Sequence, residues 1–138
     1  MAQISLVPQA LVDGIWSSLT EGFEEAVRKT GGDITTGDLW QQARRGDAFL
    51  ILAHDDDRLY GASLWRPEVW QSGTKFRCLA LFGADMAGWI GDMRKMAQKV
   101  GKDCGAASLL AEGRDGWTRI FPKAKRLRVL YEEPIDVG

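Results

Sequence analysis

Between residues 48 and 111 the spacing of apolar side chains changes period twice, and that order limits the folds open to the chain. Residues 48–53 read Ala-Phe-Leu-Ile-Leu-Ala, a short apolar run that Asp55, Asp56 and Asp57 break as a turn. Residues 59–65 form the returning arm of a hairpin. Pro67 and the Ser72-Gly73 pair interrupt the chain, and residues 75–82 supply a further strand whose alternation blurs at its C-terminal end. Such blurring is expected of a strand end buried on both faces. The period then becomes helical: Met86, Trp89, Ile90, Met93, Met96, Ala97 and Val100 fall on one stripe from residue 85 or 86 to 100, with Gly101 placed as a C-cap. Residues 106–111 return to strand. Hairpin strands followed by alternating helix and strand predict an α/β (α+β) domain over residues 1–138, with a central mixed, mostly antiparallel sheet flanked by helices.

The N-terminal part supplies the remaining layer. Residues 4–7 read as a first strand, and Pro8 suits the first turn of a helix over 8–29, whose Leu11, Val12, Ile15, Trp16, Leu19, Phe23, Ala26 and Val27 make a core-facing stripe. Thr35 or Thr36 caps a second helix that Gly46 ends. Near the C-terminus, residues 116–121 suggest a helical turn and 127–131 a last strand.

Composition excludes several classes. At 138 residues with 45% hydrophobic and 27% charged side chains, the chain has an ordinary globular balance. The net charge is −1, divided between an acidic half (residues 1–70, six basic and eleven acidic side chains) and a basic half (71–138, twelve and eight). That is not the footprint of a dedicated nucleic-acid binder. Cys78 and Cys104 are expected to be reduced thiols. No secretory signal or apolar run of about 20 residues is visible, so no membrane partner is expected. His54 is the sole histidine and there is no CxxC pair, so no metal site is expected. Three consecutive aspartates diverge too much to share a cation and read as a solvated turn.

The order of elements resembles the GNAT fold of N-acetyltransferases, best over residues 79–133. Within it, residues 112–119, Glu-Gly-Arg-Asp-Gly-Trp-Thr-Arg, look like a phrase of small phage-encoded, degenerate GNAT-like proteins. An active GNAT carries an Arg/Gln-x-x-Gly-x-Gly/Ala loop at its long helix, where small residues let a pyrophosphate reach backbone amides. Residues 82–91 here read Phe-Gly-Ala-Asp-Met-Ala-Gly-Trp-Ile-Gly. Taking Gly88 as the first glycine puts Asp85 at the Arg/Gln position and Ile90 at the second small one. Asp85 then reads as a helix cap, and Gly83, Gly88 and Gly91 are the candidates for any phosphate nest.

That departure sets the functional expectation: a phage-type GNAT-like accessory protein without catalysis or cofactor, acting in virion structure or assembly. Its partners would be virion components or a second copy of itself, in the host cytoplasm or the virion. Trp65 and Trp70, flanking Pro67, are the expected protein contacts, since Trp is enriched in binding hot spots. The alternative is an acetyl-CoA-dependent N-acetyltransferase with a divergent loop, in which Glu112 would take the amine proton and Tyr131 would protonate the leaving thiolate. A third reading, a nucleic-acid-binding factor, rests on Arg114, Arg119, Arg126 and Arg128.

Overall fold

In the computed structural model, which describes residues 2–30, 32–113 and 117–135, the apolar runs assemble into one five-stranded sheet of order β1-β2-β3-β4-β5. β1 (Gln3–Leu6) pairs antiparallel with β2 (Phe49–His54), β2 with β3 (Leu59–Trp70), and β3 with β4 (Gly73–Gly83). β5 (Ser108–Leu110) returns parallel to β4, as a strand–helix–strand crossover requires. The mixed sheet flanked by helices agrees with the sequence reading.

Both faces of the sheet are covered, which is why β2 reads as a continuous apolar run. Leu50 and Leu52 pack with Trp16, Leu19, Phe23 and Leu39 on one face. Ile51 and Ala53 pack with Trp65, Phe76, Met93 and Ala97 on the other. The first layer comes from α1 (Val12–Ile15), α2 (Thr20–Lys29) and α3 (Thr36–Arg44). The second is α4 (Ile90–Asp103), so the methionine stripe is core. A short α5 (Trp117–Ile120) follows β5.

α3 starts on a reciprocal cap: Asp38 N–H donates to Thr35 Oγ1 at 3.0 Å, and Thr35 N–H donates to the Asp38 carboxylate at 3.2 Å. Thr35→Ala is therefore expected to cost about 1 kcal/mol, read as a small fall in Tm with an unchanged fold.

Several sequence expectations are corrected. The helix over 8–29 is a broken series, with tight turns at Gln9–Leu11 and Trp16–Ser18 on either side of α1. Gly14, Ser17 and Ser18 are poor helix formers and permit the breaks. Gly101 does not end α4; it is buried inside the helix, where an added Cβ would lie 3.0 Å from the Phe76 ring. The stop is Gly105, at φ 79°, where Gly105 N–H bonds Lys102 O and Ala106 N–H bonds Gly101 O, both at 2.9 Å. Nor does Pro67 end β3, which continues to Trp70. β2 begins opposite Trp65, so beyond it β3 pairs with β4 alone, and an edge tolerates proline. Residues 127–131 are not a strand.

The blurred alternation of β4 also has a different cause from burial of both faces. Leu64 pairs with Ala80 and Trp65 with Cys78, so Leu79 is an extra residue, a β-bulge in β4. Phe76 and Cys78 face α4, whereas Ala80 and Phe82 face α2. A bulge bends its strand and commonly lies beside a functional site.

Candidate functional site

Parallel pairing between β4 and β5 covers only Lys75, Phe76 and Arg77, opposite Ser108, Leu109 and Leu110. It stops just before the bulge. From Cys78 to Gly83, β4 is bonded to β3 on one side and has no strand on the other among the described residues. This opening lies at the carboxyl ends of two parallel strands joined by a helix, the usual ligand position of an α/β sheet.

The loop at the upper end of the opening is organised by Trp89. Its indole is only 2% exposed, donates from Nε1 to Ala84 O at 2.8 Å, and lies across Gly61 and Gly83. A Cβ on either glycine would collide with the ring. Gly83 thus makes room for Trp89. Around Gly88 and Gly91, in contrast, the space a Cβ would occupy is open.

Asp85 does not cap α4. It stands in a left-handed conformation, φ 56°, with no side-chain capping bond, and its carboxylate pairs with Arg58 at 3.2 Å. Ile90 packs into the core around Met93. The charge at Asp85 is thus met within the protein, and Ile90 is turned inward. Backbone N–H groups of the first turn of α4, with Gly88 and Gly91 beside them, are of the kind that receives an anion.

Below the parting, where β4 is still paired with β5, Glu68 stands opposite Lys75 and collects donors. Arg77 reaches it through Nε at 2.7 Å and a second nitrogen at 3.1 Å, and Trp70 Nε1 donates at 2.8 Å. Arg66 joins at 3.5 Å and also donates to Gln42 at 2.9 Å. Burial alone would raise the Glu68 carboxyl, but the bonds from Trp70 and Arg77, the Arg77 charge and the bond from Arg66 hold it below the ordinary value. Arg77 also lies 3.8 Å from Glu112, just beyond β5. Sequence spacing could not show this partner, since 35 residues and a helix separate the two.

The remaining candidates scatter. Tyr131 is 86% exposed and belongs to neither core, so the structure does not bring it to Glu112. Trp65 is 1% exposed, stacks on Phe76 at 5.7 Å and donates to Ser63 Oγ at 2.7 Å. It is core and cannot be a surface contact. Trp70 is half-buried, with Lys75 and Arg128 over its ring at 5.2 and 5.4 Å. Arg119 is exposed on α5, Arg126 is exposed beyond it, and Arg114 lies outside the described residues. His54 bonds Ser5 Oγ at 2.7 Å, and Asp55 accepts from Tyr60 OH at 2.6 Å. Burial raises the Cys78 thiol to about 12, which rules out a thiolate nucleophile. Among the described residues no group of acids, histidine and cysteines could hold a metal, and no helix is long and apolar enough to cross a membrane.

No family model matches the sequence, and no curated protein matches it. Solved structures do match the fold over nearly the whole chain. A probable acetyltransferase superposes with a TM-score of 0.69 at 14% identity, covering 99% of both chains. AAC(6')-Iy, in complex with the bisubstrate analog CoA-S-monomethyl-acetylneamine, superposes at 0.68 with 11% identity and the same coverage. A GNAT family acetyltransferase of Staphylococcus aureus superposes at 0.62 with 10% identity, covering 97% of this chain and 98% of that one. The fold is that of the GNAT acetyltransferases. At these identities the likeness establishes the architecture alone. The expectation of a non-catalytic, phage-type accessory protein is corrected by these likenesses, which run to acetyltransferases and lend no support to a phage or virion role.

Proposed function

We propose that this chain is an acetyl-CoA-dependent N-acetyltransferase with a divergent cofactor loop. The observation that carries the reading is the opened edge of β4 beyond the Leu79 bulge, at the carboxyl ends of the parallel pair. Unpaired strand-edge N–H and C=O groups suit an extended ligand that carries amides of its own, as the pantetheine arm does. The turn around Gly88 and Gly91 at the start of α4 suits its pyrophosphate. Acetyl-CoA would supply an acyl group activated as a thioester. The chain's own part is to hold the acceptor amine and remove its proton. Glu112 is the carboxylate at the parting of the strands, and Arg77, itself fixed by Glu68, positions it.

Acetyl-CoA titrated by calorimetry and thermal melting tests this reading. A ligand at about 100 times its Kd adds about 2.7 kcal/mol of stability, so saturating acetyl-CoA should raise Tm measurably. Gly88→Val should abolish most of that rise without lowering the Tm of the free protein, because its Cβ enters open space. No heat and no shift at about millimolar acetyl-CoA or CoA would overturn the assignment.

A further inference from the structure

Below the parting of the strands, direct contacts tie one charged patch of the sheet together. Arg66, Glu68 and Trp70 alternate along β3, and Lys75 and Arg77 along β4, so all five stand on one face. Glu68 accepts from Arg66, Trp70 and Arg77, and Arg77 reaches on to Glu112. Lys75 and Arg128 lie over the Trp70 ring. The patch thus sets four cations, Arg66, Lys75, Arg77 and Arg128, against the carboxylates of Glu68 and Glu112.

The contacts within the chain leave this excess of positive charge unmatched. Arg66 and Arg77 are directly opposed in the ladder, and like charges so placed destabilise a sheet. Glu68 is shared between the two guanidiniums, and its bond from Arg66 is the long one, at 3.5 Å. The Arg66 side chain is 36% exposed and borders an open cavity of about 650 Å³. Lys75 and Arg128 are held by an indole face, which orders a cation without neutralising it. Among the described residues neither of them forms an ion pair. A local rule broken in this way is expected at a functional site.

The position of the patch says which part of a ligand it meets. With the chain read as an acetyltransferase, acetyl-CoA occupies the β4 edge from Leu79 towards Gly83, and Glu112 marks the acceptor amine. The patch lies the other way along β4, where the acceptor extends beyond its amine. Lys75 precedes Arg77 by two residues on one face, about 7 Å along the strand. We infer that the acceptor is a primary amine carrying a carboxylate about that far from its nitrogen. Lys75 and Arg128 receive the carboxylate, and Glu112 takes the amine proton. The amine's role rests on the proposed acetyl transfer, whereas the carboxylate's rests on the patch alone.

ε-Aminocaproate, hexylamine and hexanediamine test this, because they match in length and differ in charge at the far end. Steady-state acetyl transfer should favour ε-aminocaproate over the other two by at least about tenfold in kcat/KM. Lys75→Met keeps an apolar stem against Trp70 but loses the charge, and should remove most of that preference. Arg128→Met, at an exposed position, should reduce it in the same direction without lowering Tm. Calorimetry of ε-aminocaproate with the cofactor-free protein reads the carboxylate site without turnover; its Kd should rise at least about tenfold in Lys75→Met. That difference, found in a protein to which acetyl-CoA does not bind, would sink the transfer reaction and keep the carboxylate site. Equal use of the three amines, a preference for the diamine, or the same ε-aminocaproate Kd in parent and Lys75→Met would overturn the inference.

Discussion

Replacing Trp89 with alanine is expected to lower the free energy of unfolding by about 3–5 kcal/mol, the range for truncating a buried aromatic side chain. The ring is 2% exposed, belongs to the α4-side core and spans two glycines, Gly61 and Gly83, on adjacent strands. Truncation removes the ring from a slot that the backbone shape already fixes, because Gly61 and Gly83 have no side chains to collapse inward. It also deprives Ala84 O of its indole donor. In a domain of this size the fall in Tm should exceed about 10 °C. Urea and thermal unfolding measure it, and a Tm within about 2 °C of the parent would refute the slot's importance. Trp89→Phe separates stability from function: it refills part of the volume but lacks the indole N–H. Its loss in acetyl-CoA affinity should therefore be larger than its loss in stability suggests, because the Gly83–Trp89 turn is held by that donor.

This turn also shows where sequence reading reaches its limit. The helical stripe from Met86 to Val100 was legible because it is a local, periodic pattern, and so were the hairpin strands and the mixed sheet. Periodicity assigned Trp89 to the core but could not show that it covers Gly61, a residue 28 positions earlier. Gly83 therefore read as a phosphate-nest candidate, when its missing side chain makes room for an indole. The β4 bulge left a trace in the sequence, the blurred alternation over residues 75–82, but burial of both faces would leave the same trace. Pairing with β3 distinguishes them, and pairing is a long-range fact. Trp65 illustrates a related limit: proximity to Pro67 suggests a loop, whereas the edge of β3 left free beyond β2 lets the strand run through the proline. Likewise, residue type alone makes Asp85 a repelling charge and Ile90 a crowding side chain at the start of the long helix. Their effects depend on Arg58 and on the core around Met93, which lie elsewhere in the chain.

Glu112→Gln should leave acetyl-CoA binding and Tm close to the parent values while reducing turnover by about 10²–10⁴-fold, the usual worth of a positioned proton acceptor. Glutamine keeps the size and polarity of the side chain but cannot take a proton from the acceptor amine. The position is exposed, so the substitution leaves no buried group unpaired. Its ion pair with Arg77, at 3.8 Å, is lost, but Arg77 keeps its two bonds to Glu68. Because that anchor survives, a drop in kcat reports the missing base rather than a collapsed network. Glu68→Gln makes the complementary test: it weakens the anchor while leaving the base, so its effect should be smaller than that of Glu112→Gln and should appear in KM as well as kcat. Steady-state acetyl transfer to a panel of primary amines, with calorimetry on the same variants, measures both. Full turnover in Glu112→Gln with normal cofactor binding would move the proton acceptor to another residue. Equal loss of binding and turnover would instead make Glu112 part of the cofactor site.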